Sequence, residues 1–345
     1  MNDDASDGPE LVRPDGAPAD AIVRVFRVAP EHAKMRVDVF LQSQLRNTSR
    51  TRARAIVRRS AFSPDGRRLR PSERLHAEER VVLWRAPLDE DEPSGDIPIL
   101  YEDDHLLVVD KPPLVTVHPT ARYHRSTLIE QLKRDRPGEY LSLVHRLDRE
   151  TSGIVLVARS PEADRAFKRI LEDRSAALAD ERAGRRSAPP LGKTYLAITW
   201  SVPPAGTIDL PLEPDVDNPL RVKMRIASPG TGQEARTGVE VLERRAGYAL
   251  VCCELFTGRQ HQIRVHLAAL GCPVVGDKLY GPDDRMLARS ADGELREEDL
   301  ARLELPRHAL HAHRYRIKHA LSGRQLELES PLPEDLSRFW AERPG

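Results

Sequence analysis

The chain of 345 residues is poor in cysteine and in aromatic residues, and it lacks long apolar runs. Its three cysteines, Cys252, Cys253 and Cys272, have no C-x-x-C spacing, which favours buried free thiols over a disulfide framework or a metal site. No apolar run approaches the ~20 residues that span a bilayer, and the first twenty residues are acidic and rich in proline and glycine. We therefore expect a cytoplasmic protein without a membrane segment or a secretion signal.

The chain also lacks net charge, because 54 lysines and arginines balance 54 aspartates and glutamates. This balance hides a basic segment, since residues 36–85 contain thirteen arginines and only five acidic residues. Acidic residues are concentrated instead near the N-terminus and in the segment LDEDEPSGD at 88–96. A local excess of arginine predicts a polyanionic partner that the overall charge does not reveal.

The pattern along the first 97 residues predicts three parts. Composition predicts that residues 1–35 form a disordered acidic extension. The apolar spacing in residues 36–85 predicts a small α/β module with two short helices and a strand at 80–84. Residues 86–97 predict an acidic linker. The second helix carries the candidate phosphate-binding residues Arg50, Arg54, Arg58 and Arg59, for which a solvated helix face is the alternative interpretation.

The pattern of strand-like segments interrupted by helices over residues 98–335 predicts one α+β domain with a mostly antiparallel sheet. Two hairpins are expected, 239–245 with 248–255 and 314–319 with 324–329, because short turn sequences separate their apolar strands. A helix is expected from Ser160 as N-cap, and residues 174–190 predict a surface insertion. Residues 336–345 are expected to form a C-terminal tail.

Two polar segments are candidates for chemistry. The loop HRLDRETSG at 145–153 places Asp148 between two strands, although the same residue types also satisfy the backbone of an ordinary turn. The segment TGRQHQIRVHL predicts a helix over 261–270 in which Arg264 lies beside the buried face. A partly buried arginine requires an anionic partner, either a substrate phosphate or a carboxylate. The histidine spacings match no zinc pattern, so we expect no metal.

Five motifs, taken in order, resemble those of the RluA/RluD-type RNA pseudouridine synthases. They are HRLDRETSG at 145–153, KTYLAI at 193–198, TGRQHQIRVHL at 257–267, GDKLYG at 276–281 and RHALHA at 307–312. The basic module at 36–85 resembles the S4 RNA-binding domain that many members of this family carry. The resemblance implies a pseudouridine synthase fold, with a mixed and mostly antiparallel sheet flanked by helices, plus a small S4-like module.

The resemblance also implies roles for four residues. Asp148 would be the essential catalytic carboxylate, which either attacks the sugar or assists elimination, and Arg264 would pair with it and lower its pKa. Tyr195 would stack on the target base and assist at the C5 proton. Arg146 would enter the RNA where the uridine has flipped out. Leu114 departs from the family pattern, because glycine is usual at that position.

The sequence therefore predicts a monomeric, cofactor-independent enzyme that converts uridine in structured RNA to pseudouridine. Ribosomal RNA of the large subunit is the favoured substrate and transfer RNA is the other. A catalytically silent RNA-binding or ribosome-assembly protein with the same fold is one alternative. A metal-dependent nuclease that uses the histidines and Asp148 is another.

Overall fold

The computed structural model describes most of the chain, namely residues 11–18, 21–45, 48, 50–85, 96–119, 123, 125–182, 192–218, 222–292 and 294–344. Contacts divide the chain into two compact units, Met1–Glu90 and Asp91–Gly345. The predicted linker at 86–97 lies outside the described residues except for its last two positions. Among the helices described, none is long and apolar enough to cross a membrane.

The first unit packs two helices against a three-stranded antiparallel sheet with the strand order β1-β3-β2. The strands are β1 (Ile22–Arg27), β2 (Ala61–Phe62) and β3 (Arg80–Arg85), and the helices are α1 (Val37–Gln44) and α2 (Arg50–Ser60). Both helices lie where the apolar spacing predicts them. Buried side chains from all of these segments form its core, among them Phe40, Leu41, Val57 and Leu83.

Strand β1 corrects the expectation that residues 1–35 are disordered. Ile22–Arg27 pairs with β3 along its whole length, and Phe26 and Val28 are buried. The composition of the first twenty residues drew attention away from the β-branched and aromatic residues of IVRVFR, which are typical of a strand. Residues 1–10, the most acidic part of the predicted extension, lie outside the described residues.

The second unit is built on a mixed sheet of ten strands with the main order β4-β5-β7-β14-β8-β13-β12-β9. Its strands in chain order are β4 (Ile99–Glu102), β5 (Leu106–Lys111), β6 (Ser142–Leu143), β7 (Ser152–Ala158), β8 (Gly192–Trp200), β9 (Gly206–Asp209), β12 (Arg236–Arg245), β13 (Tyr248–Leu255), β14 (Leu310–Lys318) and β15 (Gln325–Glu329). Only β7 and β14 pair in parallel among the described strands. The predicted mostly antiparallel sheet is therefore confirmed, as are the hairpins β12–β13 and β14–β15.

A separate hairpin and six helices complete this unit. The hairpin joins β10 (Leu212–Pro214) to β11 (Met224–Ile226). The helices are α3 (Leu128–Asp135), α4 (Pro161–Arg182), α5 (Gln262–Ala269), α6 (Met286–Asp292), α7 (Glu297–Leu303) and α8 (Glu334–Ala341). Ser160 accepts a hydrogen bond from the Ala163 amide at 3.1 Å, so it caps α4 as predicted.

The central strands are buried on both faces. Alternate residues of β5 and β7 enter two apolar clusters, with Leu106 and Ile154 in one and Leu107 and Val155 in the other. Phe167 of α4 packs in the first cluster, whereas side chains of α3, α5 and α8 pack in the second. Helices on both faces and a mostly antiparallel sheet give the α+β class that the sequence predicts.

Two further boundaries differ from the sequence predictions. Helix α4 continues to Arg182, so the first half of the predicted insertion at 174–190 is helical, and 183–190 lie outside the described residues. The predicted tail at 336–345 contains most of α8, whose Leu336, Phe339 and Trp340 are buried in the core. Their i, i+3, i+4 spacing marks an amphipathic helix, which the preceding prolines concealed.

Candidate active site

The loop that carries Asp148 joins β6 to β7 at the floor of a pocket of about 280 Å³. Asp148, Tyr195 and Arg264 all line this pocket, together with Lys193, His261 and Arg146. The sequence predicted the first three as a group although they are spread over more than a hundred residues. Tyr195 and Lys193 share a face of β8 because they are two residues apart on a strand.

The carboxylate of Asp148 is held by a buried guanidinium. Arg264 Nη1 donates to Asp148 Oδ2 at 3.0 Å, and the Asp148 side chain keeps 23% of its surface exposed toward the pocket. Its second oxygen, Oδ1, lies 3.8 Å from His261 Nε2. The carboxylate thus has one oxygen fixed by protein and one face open to the pocket.

Arg264 is fixed in turn by a second carboxylate, Asp277. Its Nε and Nη2 donate to the two oxygens of Asp277 at 2.6 and 2.8 Å, and the ring of Tyr280 lies 5.1 Å from its guanidinium carbon. Asp277 also accepts the amide hydrogens of Leu279 and Tyr280 at 2.9 and 3.0 Å. This bidentate pair fixes the direction in which the third nitrogen of Arg264 points.

The charges of this group determine the protonation of Asp148. Burial alone would raise its pKa, but the nearby charges of His261 and Arg264 outweigh burial and lower the pKa of Asp148 to about 2. Burial and the Arg264 charge lower the pKa of His261 to about 4, so this imidazole is neutral at pH 7. Arg264 is therefore the cation that keeps Asp148 ionised at neutral pH.

Tyr195 is buried on β8. It belongs to the same apolar cluster as Leu147, Ile263 and Leu310, which also line the pocket. Burial, together with the Asp148 charge, raises the pKa of Tyr195 to about 12, although the hydrogen bond with the Tyr315 hydroxyl acts to lower it. The phenol is therefore neutral at pH 7. A neutral phenol can donate a hydrogen bond or offer its ring face, whereas it is a poor proton acceptor.

Lys111 and Arg307 hold the backbone of the Asp148 loop by hydrogen bonds to its carbonyl groups. The buried amino group of Lys111, whose pKa burial lowers to about 7, donates to the carbonyl of Arg149 at 3.2 Å and to the carbonyls of Pro112 and Val115 at 2.8 and 3.0 Å. Arg307 donates to the carbonyl of Glu150 at 3.2 Å. These bonds join the loop to two distant segments and restrict its movement.

The side chains of Glu150 and Thr151 in the loop are also anchored. Glu150 accepts from Lys278 Nζ at 2.7 Å and from the His308 amide at 3.0 Å. The Thr151 hydroxyl lies 2.7 Å from Nε2 of His308. Gly153 has φ +109°, and a Cβ there would lie 2.2 Å from the Ala312 carbonyl oxygen, so only glycine allows β7 to approach β14 so closely.

Sequence reasoning missed Asp277, Glu150, Lys278, His308 and Lys111 as members of the site. Four of them lie inside the quoted motifs and the fifth begins KPPLVTVHP at 111–119, so the signal was present without assigned roles. Each acts on Asp148 through another residue or through the loop backbone. Such roles depend on pairings between segments that are far apart in the sequence.

Two other predictions concern the rim of the site and the first unit. Arg146 is exposed at the pocket rim, two residues before Asp148. Leu114 has φ 66° and is 44% exposed, so it adopts the left-handed conformation that favours glycine. The arginines predicted to bind phosphate are exposed on α2 in the first unit, namely Arg50, Arg54, Arg58 and Arg59.

Comparisons with known proteins identify the family of the chain. The family model described as RNA pseudouridylate synthase matches residues 105–269. The chain is 33% identical to ribosomal large subunit pseudouridine synthase D of Xanthomonas campestris, over 93% of each chain. The chain belongs to the RNA pseudouridylate synthase family. Like other members of this family, it is an RNA pseudouridine synthase.

Other members of the family show the same relationship. Ribosomal large subunit pseudouridine synthase C of Escherichia coli is 31% identical over 92% of this chain and 95% of that protein. The solved structure of human RNA pseudouridylate synthase domain containing 4 covers 72% of this chain and 95% of its own, with 27% identity and a TM-score of 0.53. The predicted family and fold are confirmed by these matches.

Proposed function

We propose that this enzyme isomerises specific uridines of ribosomal RNA from the large subunit, with Asp148 as the essential carboxylate acting on a flipped nucleotide. The names of its bacterial relatives support the substrate, since they are large-subunit pseudouridine synthases. The observation that carries the proposal is the ionised Asp148, which Arg264 fixes at the floor of an open pocket.

Pseudouridine formation rearranges bonds without consuming a reactant. The C1′–N1 bond of uridine breaks, a C1′–C5 bond forms, the C5 proton leaves and N1 gains a proton. Asp148 either attacks C1′ or stabilises the positive charge that develops there during elimination. Both steps require the carboxylate to be ionised, and its pKa of about 2 meets that requirement at neutral pH.

Base flipping follows from the position of the carboxylate. Asp148 lies at the pocket floor, partly covered by protein, so a uridine stacked within an RNA helix would not bring its C1′ to Oδ1. In the proposed complex the uridine turns out of the helix and enters the pocket. Arg146, exposed beside the opening, then occupies the space that the base leaves in the RNA.

Tyr195 and Lys193 provide a binding surface for the freed uracil. The Tyr195 ring would stack on the base, and its neutral hydroxyl would act as a donor and not as the base that removes the C5 proton. Lys193 lies on the same strand face and its ammonium is 5.0 Å from the centre of the Tyr315 ring. A cation there would stabilise the negative charge that uracil carries when the C1′–N1 bond breaks.

The first unit would supply affinity for RNA. We propose that it is the S4-like module expected from the sequence, with the exposed α2 arginines Arg50, Arg54, Arg58 and Arg59 contacting phosphates. Phosphate contacts made by exposed arginines weaken steeply as salt rises.

The proposal is tested by tritium release from RNA that contains [5-³H]uridine. Asp148→Ala and Asp148→Asn should release no tritium while they still bind the RNA, because the carboxylate acts in chemistry and not in affinity. Asp217→Asn is the matched control, since Asp217 is 82% exposed and lies outside the pocket lining. The wild type and this control should release tritium at the same rate.

The outcomes separate the alternative functions. A wild type that binds RNA but releases no tritium from any cellular RNA would favour the catalytically silent binding protein. Mapping pseudouridines in ribosomal and transfer RNA, with and without the gene, identifies the substrate. Tritium release that persists in EDTA, without cleavage of the RNA, would exclude the metal-dependent nuclease that the histidines suggested.

A further inference from the structure

His261 faces the oxygen of Asp148 that Arg264 leaves open. Arg264 Nη1 donates to Oδ2 at 3.0 Å, whereas His261 Nε2 lies 3.8 Å from Oδ1. His261 immediately precedes α5 and Arg264 lies three residues later, so both side chains project from the same side of the helix. A hydrogen bond from nitrogen to oxygen spans about 2.7–3.2 Å, so 3.8 Å is too long for a direct bond.

The hydroxyl of Tyr280 determines which nitrogen of His261 carries the hydrogen. Tyr280 Oη accepts the amide hydrogen of Met224, on β11, at 2.8 Å and lies 2.8 Å from His261 Nδ1. Burial raises the pKa of Tyr280, so the phenol keeps its hydrogen at pH 7. Since the Met224 amide already donates to Oη, the phenol donates its own hydrogen to Nδ1. The single hydrogen of the neutral imidazole is therefore on Nε2, the nitrogen that faces Asp148.

The backbone and the ring of His261 are both held in place. His261 has φ 56° and ψ 16°, which is the left-handed conformation that residues with a Cβ rarely adopt. Its ring packs edge-to-face against Tyr280, with 5.6 Å between the centroids and 75° between the planes. Backbone strain of this kind is concentrated at functional sites, and His261 lines the pocket. The Nε2–H group is thus preorganised beside Asp148 Oδ1.

A donor and an acceptor 3.8 Å apart can be joined by one hydroxyl group. Its oxygen, at about 2.8 Å from each, accepts from His261 Nε2–H and donates to Asp148 Oδ1. In a uridine the ribose hydroxyls both donate and accept, whereas N3–H only donates and O2 and O4 only accept. The 2′-hydroxyl is the one adjacent to C1′, where Asp148 acts in the proposed reaction.

We propose that His261 Nε2–H donates a hydrogen bond to the 2′-hydroxyl of the flipped uridine, which donates in turn to Asp148 Oδ1. This role rests on the proposed function, because it takes the ribose of the target to lie beside Asp148. Tyr280 is a positioning residue, since it holds His261 in the tautomer that donates. The pair selects ribose over deoxyribose at the target position, because a 2′-deoxy nucleotide leaves Nε2–H and Oδ1 unbridged.

Two forms of one RNA stem–loop test this contact. The stem–loop surrounds a uridine that the wild type modifies, and that position carries either [5-³H]uridine or 2′-deoxy-[5-³H]uridine. Single-turnover tritium release and the dissociation constant are measured for both forms. The ratio between the two forms is the 2′-deoxy penalty of each protein, and the dissociation constant supplies it where release from the deoxy form is too slow to follow.

His261→Asn and His261→Phe should both lower the 2′-deoxy penalty about threefold to tenfold relative to the wild type, which is the effect of one lost hydrogen bond. Asparagine tolerates the left-handed backbone, so His261→Asn keeps the fold, and its amide ends near the position of Nδ1, short of the hydroxyl. Phenylalanine keeps the ring but has no donor. Two variants of different shape therefore remove the same contact.

Two tyrosine variants separate positioning from general damage. Tyr280→Phe should lower the penalty by a smaller factor than the His261 variants, because the imidazole can then carry its hydrogen on either nitrogen. Tyr248→Phe is the matched control, since the Tyr248 hydroxyl bonds to Glu304 outside the pocket lining. This control should keep the wild-type penalty.

A wild-type penalty in both His261 variants would overturn the proposed contact, even if their tritium release is slow. His261 would then be structural, and its Nε2–H would bond to water and not to the ribose. A lowered penalty in Tyr248→Phe would also overturn it, because the effect would not be specific to the site. The proposed function fails by a different result, namely a wild type that releases no tritium from any cellular RNA, or an Asp148→Asn variant that releases it at the wild-type rate.

Discussion

Replacing Asp277 with asparagine should disable the site without touching the pocket. Asp277 is fully buried and accepts four hydrogen bonds, two from Arg264 and two from backbone amides. Asparagine can keep the three bonds that Oδ1 accepts, but its amide nitrogen would face the Nε donor of Arg264. The variant loses the buried charge pair and leaves one guanidinium donor unpaired.

The size of the effect follows from that geometry. Removing one partner of a buried ion pair costs about 3–5 kcal/mol, which is a large part of the ~5–15 kcal/mol that stabilises a typical domain. Arg264 would also lose the bidentate contact that directs Nη1 toward Asp148. A displacement of about 1 Å at a catalytic group can reduce turnover about a hundredfold.

Urea unfolding and single-turnover tritium release measure the two effects. Asp299→Asn is a matched control, because Asp299 forms a similar bidentate pair with Arg289, at 2.7 and 2.8 Å, outside the pocket lining. This control should lose stability but keep its turnover. The double variant Asp277→Asn, Arg264→Met should lose about 2–3 kcal/mol less stability than the sum of the two single variants, because both substitutions break the same ion pair.

Two outcomes would refute the role of Asp277. One is wild-type turnover in Asp277→Asn, and the other is a stability loss below about 1 kcal/mol, which is typical of an exposed pair. Either result would mean that Arg264 keeps its orientation without the second carboxylate.

The remaining predictions concern Tyr195 and the pH dependence. Tyr195→Phe should reduce single-turnover tritium release less than about tenfold, whereas Tyr195→Ala should abolish it, because the reaction needs the aromatic ring and not a phenolate. A loss in Tyr195→Phe as large as in Tyr195→Ala would show that the hydroxyl is the base. Because the pKa of Asp148 falls from 3.8 to about 2, the rate should show no acid limb between pH 5 and 8, and a limb near pH 6 would contradict its ionisation. The stability from this lowered pKa is present above pH 3.8 and lost as the pH falls toward 2, which acid unfolding of the wild type and Asp148→Asn measures.

The parts of the fold that local patterns determine were predicted well. Helix α5 and the hairpin β12–β13 follow from apolar spacing and turn residues, which act over only a few positions. Strand β1 and helix α8 were missed because the acidic and proline-rich residues beside them dominated the local composition. In the structure both are fixed by distant partners, since β1 pairs with β3 and α8 packs in the main core.

The candidate site divides in the same way. Four residues that line the pocket, Asp148, Tyr195, Arg264 and Arg146, were predicted because the motifs that contain them resemble those of a known family. Residue chemistry alone left an ordinary turn as an equal interpretation of the Asp148 loop. Asp277 and His308 were not predicted, because their roles depend on which distant segments meet. Gly276, which precedes Asp277, gave no clear signal either. Its φ is +77°, and a Cβ there would lie 2.0 Å from the Arg307 carbonyl oxygen, so only glycine allows this turn to pack against Arg307.

The charges around Asp148 explain why the rim must be positive in the proposed reaction. Arg264 carries one positive charge against the carboxylates of Asp148 and Asp277, and His261 and His308 are neutral at pH 7 because their pKa values are about 4. This group of five is therefore anionic, which suits a developing positive charge at C1′ but repels the phosphates of RNA. Cations at the rim, such as Arg146, and those on the first unit would have to offset that repulsion. Neutralising them should therefore weaken RNA binding far more than it slows the bond rearrangement.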